Sequence, residues 1–216
     1  HYIPANEVAG IIVEPVQGEG GYIVPPPGFL EGLREICDQN GILLIFDEVQ
    51  SGFGRTGEMF AAQTFGVRPD ILAAAKGIAN GFPLGATAAS RELMSRWLAG
   101  SHGTTFGGNP ISCAAALAVL EVIREENLLE NTRAMGALLL DGFRSLQAEY
   151  DFIGDVRGQG LMVAMELVRP DSNKTPDGRA AAQVLENCLE RGLLGYMAGH
   201  EGQVVRFMPP LNVTRE

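Results

Sequence analysis

The stretch Ile42-Leu43-Leu44-Ile45-Phe46-Asp47 decides the fold of this 216-residue chain. Five consecutive apolar residues before a carboxylate are typical of a strand that is covered on both faces in a parallel sheet. Similar strands are predicted at residues 8–13, which we expect to be central, at residues 71–75 and at residues 85–89. A helix predicted at Phe29–Asn40 would join the first two strands as a crossover. The sequence therefore predicts an α/β fold with a parallel or mixed sheet.

Two ionisable residues follow these strands, where ligands of parallel sheets usually bind. Asp47 ends one strand, and Lys76, one of only two lysines, follows the next. An ammonium at the end of a buried strand costs several kcal/mol unless it is paired or neutral, and a desolvated amine is a nucleophile that can form a Schiff base. The alternatives are a lysine that extends into solvent and an aspartate that caps a turn or pairs with Arg55.

The predicted pattern of helices and strands changes after Pro110. Helices are predicted at residues 111–126, 128–150 and 179–191, with strands at residues 161–166 and near Leu193 and Val204. This pattern indicates a smaller α+β domain, so we divide the chain into residues 1–110 and 111–216.

Composition excludes several classes of function. The net charge of −10 argues against binding to nucleic acid or to an anionic membrane. Three widely spaced cysteines indicate reduced thiols in a cytoplasmic protein. The three histidines have no metal-ligand spacing, so we predict no metal site.

Residues 52–57 match the G-x-G-x-x-G pattern of dinucleotide-binding proteins. That site requires the first glycine directly after the strand, and here Asp47-Glu48-Val49-Gln50-Ser51 intervenes. It also requires an acid at the end of the next strand, whereas Asp70 precedes that strand. The motif therefore does not indicate a nicotinamide site.

Four motifs occur in a fixed order: EPVQGEGG at residues 14–21, DEVQSGFGRTG at residues 47–57, AKG at residues 75–77 and TFGGNP at residues 105–110. In this combination the chain resembles the class III (ω-) aminotransferases, such as the 4-aminobutyrate, ornithine and acetylornithine aminotransferases. The resemblance implies the pyridoxal phosphate-dependent transferase fold type I. Residues 1–110 would be the later part of the cofactor-binding large domain, with a mostly parallel sheet. Residues 111–216 would be a linking helix and a truncated C-terminal α+β domain.

The resemblance also implies a cofactor, pyridoxal 5′-phosphate, and the residues that bind it. Lys76 would form the internal aldimine and move the proton during catalysis, and Asp47 would pair with the pyridinium nitrogen. Val49 would lie against the ring, and Gln50 would bind near its phenolic oxygen. Thr105 would reach the phosphate in the neighbouring subunit, which implies a homodimer with shared active sites; the alternative is a turn hydroxyl.

Three further residues would bind the substrate. Arg206 resembles the family arginine that binds the α-carboxylate, and Glu19 resembles the glutamate that neutralises this arginine while an ω-amine reacts. Glu14 would orient groups around the substrate. These roles imply ping-pong transfer of an amino group from a 4-aminobutyrate-like donor to 2-oxoglutarate. An ordinary surface arginine is the alternative for Arg206.

Two other outcomes remain open. Class III relatives include pyridoxal phosphate-dependent racemases and aminomutases, which would use the same residues. Family members are also about twice as long as this chain. The Gly/Ser-rich loop that holds the cofactor phosphate belongs to their N-terminal half, which this sequence lacks. We therefore expect a fragment that is inactive in isolation.

Overall fold

The structure is a computed structural model that describes residues 3–170 and 173–215, and these form two compact units. The first unit comprises the chain up to Pro15 together with Pro25–Phe53 and Glu58–Asn127. The second comprises Val16–Val24, Gly54–Gly57 and the chain from Leu128 onward. The main division thus falls after Asn127, and two short segments from the earlier part of the chain also belong to the second unit. The expected division was at residue 110. The assignment of residues 1–110 and 111–216 to functional domains stays a prediction.

The first unit contains a mixed four-stranded sheet with strand order β1-β2-β3-β4. Strands β1, β2 and β3 are parallel, and β4 is antiparallel to β3. The first strand was expected to be central, but within the described residues it lies at the edge of the sheet, with Ile12 66% exposed. The strands are β1 (Gly10–Val13), β2 (Leu43–Asp47), β3 (Ile71–Ala74) and β4 (Ala86–Ala89).

Helix α1 (Phe29–Asn40) connects β1 to β2 and has the predicted bounds. Its buried residues Leu30 and Cys37 pack with Leu44 and Phe46 of β2. It ends at Gly41, whose φ of 66° lies in the left-handed region, and the Gly41 N–H bonds the carbonyl of Cys37. This glycine cap lets the chain turn directly into β2.

Among its described residues, the first unit has three more α-helices, which are α2 (Ala61–Thr64), α3 (Arg91–Met94) and α4 (Pro110–Glu125). Only α4 was predicted, because α2 and α3 are single turns without a helical apolar pattern. Asn109 caps the N-terminus of α4, with its Oδ1 accepting from the N–H of Ser112 at 2.9 Å.

The second unit contains an antiparallel sheet with strand order β5-β6-β8-β7. Strand β5 was not predicted, because glycines and charged residues interrupt its apolar pattern. The strands are β5 (Ile153–Gln159), β6 (Met162–Leu167), β7 (Tyr196–Ala198) and β8 (Val204–Phe207).

Helices α5 (Leu128–Glu149) and α6 (Gly178–Glu190) pack on one face of this sheet. The core includes Val205 and Phe207, and the rings of Phe143 and Phe207 lie 5.4 Å apart. Because successive strand residues alternate between faces, Arg206 lies on the opposite face. None of the helices within residues 3–170 and 173–215 is long and apolar enough to cross a membrane.

Candidate active site

Three ionisable residues lie at the carboxyl ends of the three parallel strands of the first unit: Glu14 follows β1, Asp47 ends β2 and Lys76 follows β3. Val13 is paired with Phe46, so Glu14 comes level with Asp47. Asp47 is in turn paired with Ala73, three residues before Lys76. The carboxyl ends of parallel strands meet at one edge of a sheet, so this edge carries two carboxylates and one amine.

The Asp47 side chain is half-buried, and only one of its two carboxylate oxygens accepts a hydrogen bond within the described residues. Its Oδ1 accepts a hydrogen bond from the N–H of Val49 at 3.0 Å, which closes an Asx turn at the end of β2. This is its only hydrogen bond among the described residues, and it forms no ion pair there. The turn-capping alternative therefore accounts for one oxygen and leaves Oδ2 available to an added donor.

Lys76 differs from the expectation of a buried amine, because its side chain is exposed. Strand β3 ends at Ala74, and the chain turns at once into a 3-10 helix, Lys76–Ile78. Lys76 adopts a φ of 45°, in the left-handed region that costs a non-glycine residue about 1 kcal/mol or more. Its amine makes no ion pair in the part of the chain that the structure describes, so it is open to an incoming group.

The other residues expected at the cofactor lie in loops of the same unit. Val49 and Gln50 are half-buried in the segment after Asp47. Thr105 is exposed and precedes the Asn109 cap of α4. Its hydroxyl forms no hydrogen bond within the described residues, so the alternative of a turn hydroxyl is not supported.

The second unit brings Arg206 and Glu19 together. Nη2 of Arg206 lies 2.8 Å and 2.9 Å from the two carboxylate oxygens of Glu19. The Arg206 side chain is only 12% exposed, whereas that of Glu19 is 75% exposed. The guanidinium also lies over the ring of Tyr22, 5.5 Å from its centroid. Arg206 is therefore not an ordinary surface arginine.

These two arrangements can be compared with known proteins. The model of the aminotransferase class-III family matches residues 3–216, nearly the whole chain. The chain belongs to the class-III aminotransferase family.

Curated relatives in this family include three aminotransferases with different amino donors in their names. The chain is 47% identical to 5-aminovalerate aminotransferase of Pseudomonas putida over 95% of its length. It is 45% identical to acetylornithine aminotransferase of Methanothermobacter thermautotrophicus over 98%, and 43% identical to 4-aminobutyrate aminotransferase of Escherichia coli over 96%. It covers 48%, 51% and 49% of those proteins, respectively, so it spans about half of their length.

Solved structures show the same fold. An amine transaminase from an uncultivated Pseudomonas species, in a form with pyridoxal phosphate bound, has a TM-score of 0.90 and 41% identity. The match covers 98% of this chain and 49% of that one. Ornithine aminotransferase of Toxoplasma gondii has a TM-score of 0.88 and 38% identity, over 97% of this chain and 48% of that one. The predicted fold class is confirmed.

Glu48 is a residue of this class-III family member that sequence reasoning missed. It is fully buried, and its carboxylate accepts from the N–H groups of Ala61 at 2.6 Å and Ala62 at 2.8 Å, and from the hydroxyl of Ser51 at 3.2 Å. Burial raises the pKa of Glu48 above its ordinary value, although these hydrogen bonds oppose the shift. Glu48 therefore fastens the segment that carries Val49 and Gln50 to the start of α2.

Arg157 was missed together with strand β5, which carries it. Its Nε donates to the carbonyl of Gly21 at 2.9 Å, two residues beyond Glu19. Its Nη1 bonds Asp155 at 2.7 Å and Glu166 at 2.6 Å. The sequence around Arg157 carries no clear strand pattern, and it does not indicate a partner in a loop 136 residues away.

Proposed function

We propose that this chain is part of a pyridoxal 5′-phosphate-dependent aminotransferase. The enzyme would transfer the amino group of a terminal amine, such as 4-aminobutyrate or 5-aminovalerate, to 2-oxoglutarate in a ping-pong reaction. The observation that supports this proposal best is the placement of Asp47 and Lys76 at the carboxyl ends of adjacent parallel strands. Relatives named for these two amines support the choice of donor.

The residues at this edge fit the cofactor. The unpartnered Oδ2 of Asp47 suits the protonated ring nitrogen, and the open amine of Lys76 suits the aldehyde. When bound, the cofactor supplies electron withdrawal from the reacting carbon. Asp47 would keep the ring nitrogen protonated, and Lys76 would carry the proton to and from the substrate. Val49 would pack on the ring, and Gln50 would bind its phenolic oxygen.

Arg206 and Glu19 would handle the two substrates in turn. A guanidinium binds a carboxylate through two parallel hydrogen bonds, so Arg206 suits the α-carboxylate of 2-oxoglutarate. An ω-amine donor has no carboxylate there, and Glu19 would then neutralise Arg206; the contact between the two side chains supports this role. The exposed Glu19 side chain has room to rotate away when the oxo acid arrives.

The remaining assignments belong to the same proposal. Thr105, exposed before α4, would bind the cofactor phosphate of a partner subunit in a cytoplasmic homodimer. Glu14, level with Asp47 on the neighbouring strand, would orient groups around the substrate.

The chain's two lysines provide a matched test. In the complete protein with added pyridoxal phosphate, we expect Lys76→Ala to abolish the cofactor-dependent absorbance band. It should also lower glutamate production by about 10²- to 10⁴-fold, the usual contribution of a general acid–base group. Lys174→Ala, in an exposed turn of the second unit, should change neither quantity.

Each result has a distinct meaning. A band that 4-aminobutyrate bleaches and 2-oxoglutarate restores supports transamination. A lysine-dependent band that no amine donor bleaches would favour a racemase or aminomutase. A band that survives Lys76→Ala would refute the role of this residue.

A further inference from the structure

The Glu19 segment, residues 17–23, is a closed turn with a fixed backbone. The N–H of Gln17 bonds the carbonyl of Ile23 at 3.1 Å, and the N–H of Gly21 bonds the carbonyl of Gly18 at 3.1 Å. The carbonyl of Glu19 itself accepts from the N–H of Gly199 at 3.0 Å. These bonds hold the backbone on both sides of Glu19, and its side chain, 75% exposed, extends from this turn to Arg206.

Arg157 and Arg206 stand in one row across the second sheet. Arg157 is paired with Ala164, Ala164 with Arg206, and Arg206 with Tyr196. Paired residues share a face, so the two arginines flank Ala164 on the face opposite α5 and α6, roughly 10 Å apart. Ala164 is fully buried on that face. The Glu19 segment supplies the contacts there, because Arg157 bonds Gly21 and Arg206 bonds Glu19.

Arg157 fits closely against the Glu19 segment. Gly21 has a φ of 109°, and a Cβ at this position would lie 2.9 Å from Cγ2 of Val204 and 3.0 Å from Nη2 of Arg157. Asp155 and Glu166 both bind Nη1 of Arg157, whose side chain is only 16% exposed. Arg157 thus joins the sheet to the backbone two residues beyond Glu19.

We propose that Arg157 is a positioning residue that holds the Glu19 segment so that the Glu19 carboxylate meets Arg206. Through this contact Arg157 sets the balance between a donor without an α-carboxylate and an acceptor that has one. The identity of these substrates rests on the proposed function, but the positioning itself rests on the contacts described above.

A binding measurement tests the positioning without turnover. Glutarate, an unreactive dicarboxylate, has to displace Glu19 to reach Arg206, so its affinity reports how well Glu19 is held. In calorimetric titrations of the complete, cofactor-loaded protein, we expect Glu19→Gln to tighten glutarate binding about two- to tenfold. Arg157→Lys should tighten it similarly, because a lysine keeps the charge beside Asp155 and Glu166 but lacks the fork that also reaches Gly21. Arg144→Lys, on the exposed surface of α5, is the matched control and should have no effect.

The double variant Glu19→Gln, Arg157→Lys distinguishes a positioning role of Arg157 from a general structural effect of its substitution. If Arg157 acts through Glu19, Arg157→Lys adds nothing to glutarate affinity in the Glu19→Gln background. Equal effects of Arg157→Lys in both backgrounds would overturn the inference, as would unchanged affinity in all variants or no glutarate binding by any of them.

Half-reactions measured separately give the functional result. At saturating substrate, Arg157→Lys should slow the half-reaction with 4-aminobutyrate about three- to tenfold and leave the half-reaction with 2-oxoglutarate within about twofold. Equal slowing of both would contradict the inference. If the binding cycle behaves as expected but no amino group is transferred, the proposed function fails and the positioning role of Arg157 stands.

Discussion

Glu48 is a buried carboxylate whose ionisation is coupled to folding. Burial raises its pKa in the folded chain, so the native state binds the proton more tightly than the unfolded state. The stability that this provides is fully present below the ordinary pKa of a glutamate and is lost as the pH rises through the folded-state pKa.

A single substitution tests this coupling. Glu48→Gln keeps one acceptor oxygen but turns an amide N–H₂ towards backbone N–H groups, so it should destabilise the protein by roughly 1–3 kcal/mol. We expect the difference from the wild type to be largest at acidic pH and to shrink as the pH rises, in urea unfolding measured across the pH range. The exposed Glu35→Gln on α1 should change stability by less than about 0.5 kcal/mol at every pH. A constant difference for Glu48→Gln would show that Glu48 does not titrate in this way.

The neighbours Asp47 and Glu48 show what a sequence can and cannot reveal at this scale. Asp47 is recognisable because it ends an apolar run, and the ends of such runs meet at one edge of a parallel sheet. Glu48 looks like a solvated loop residue. Its burial depends on the N–H groups of Ala61 and Ala62, which begin a one-turn helix without a sequence pattern of its own.

Helix α5 contains two glycines in contrasting environments. A Cβ on Gly136 would lie 2.1 Å from the carbonyl oxygen of Gly160, at the turn between β5 and β6. A Cβ on Gly142 would meet nothing within 4 Å. The first glycine permits close approach of the helix to the sheet, whereas the second only weakens the helix.

Alanine at these two positions should therefore have opposite effects. Gly136→Ala forces the helix away from the β5–β6 turn and should destabilise the protein by about 1–3 kcal/mol. Gly142→Ala should stabilise it by about 0.5–1 kcal/mol through helix propensity alone. Urea midpoints of both variants provide the check, and stabilisation by Gly136→Ala would contradict the close packing.

At the scale of elements, the sequence predicts long and strongly patterned segments well and short or irregular ones poorly. Helix α1 has its predicted bounds because proline and glycine signals flank a clear apolar stripe. Strand β5 escaped prediction because its register shifts between Ile153 and Asp155, which breaks the alternation of apolar and polar residues.

At the scale of the whole molecule, the first unit exposes several large apolar side chains. Leu98 and Phe106 are nearly 80% exposed, and Ile111 and Leu117 on α4 about two-thirds exposed. Exposed apolar side chains of this size mark an interface or a tendency to aggregate where they form a contiguous patch. The chain spans about half the length of the curated relatives it matches.

We therefore expect the 216-residue chain expressed alone to self-associate and to bind pyridoxal phosphate poorly. Light scattering should show species larger than the 23.0 kDa monomer, and the double variant Ile111→Glu, Leu117→Glu should reduce their amount. Leu189→Glu, an exposed leucine on α6, is the control and should have little effect. A monodisperse monomer that binds the cofactor and turns over substrate would refute this expectation.

The division of the chain into units was the least predictable feature. Residues 16–24 and 54–57 belong to the second unit although first-unit sequence surrounds them. Local patterns describe which residues are apolar or turn-forming, but not which distant sheet a short polar segment joins.

The separation between Glu19 and Arg206 constrains how the protein is made. The two residues are 187 positions apart, and Arg157 follows Gly21 by 136 positions. The Glu19 segment emerges from the ribosome long before the strands that it contacts have been translated. Contacts that close such long loops form slowly. During synthesis, Arg157 can bind the Glu19 segment first. The contact between Glu19 and Arg206 can form only after β8 has emerged from the ribosome. The edge with Asp47 and Lys76 can thus assemble early on the nascent chain, whereas the pair proposed to distinguish the two substrates forms late in translation.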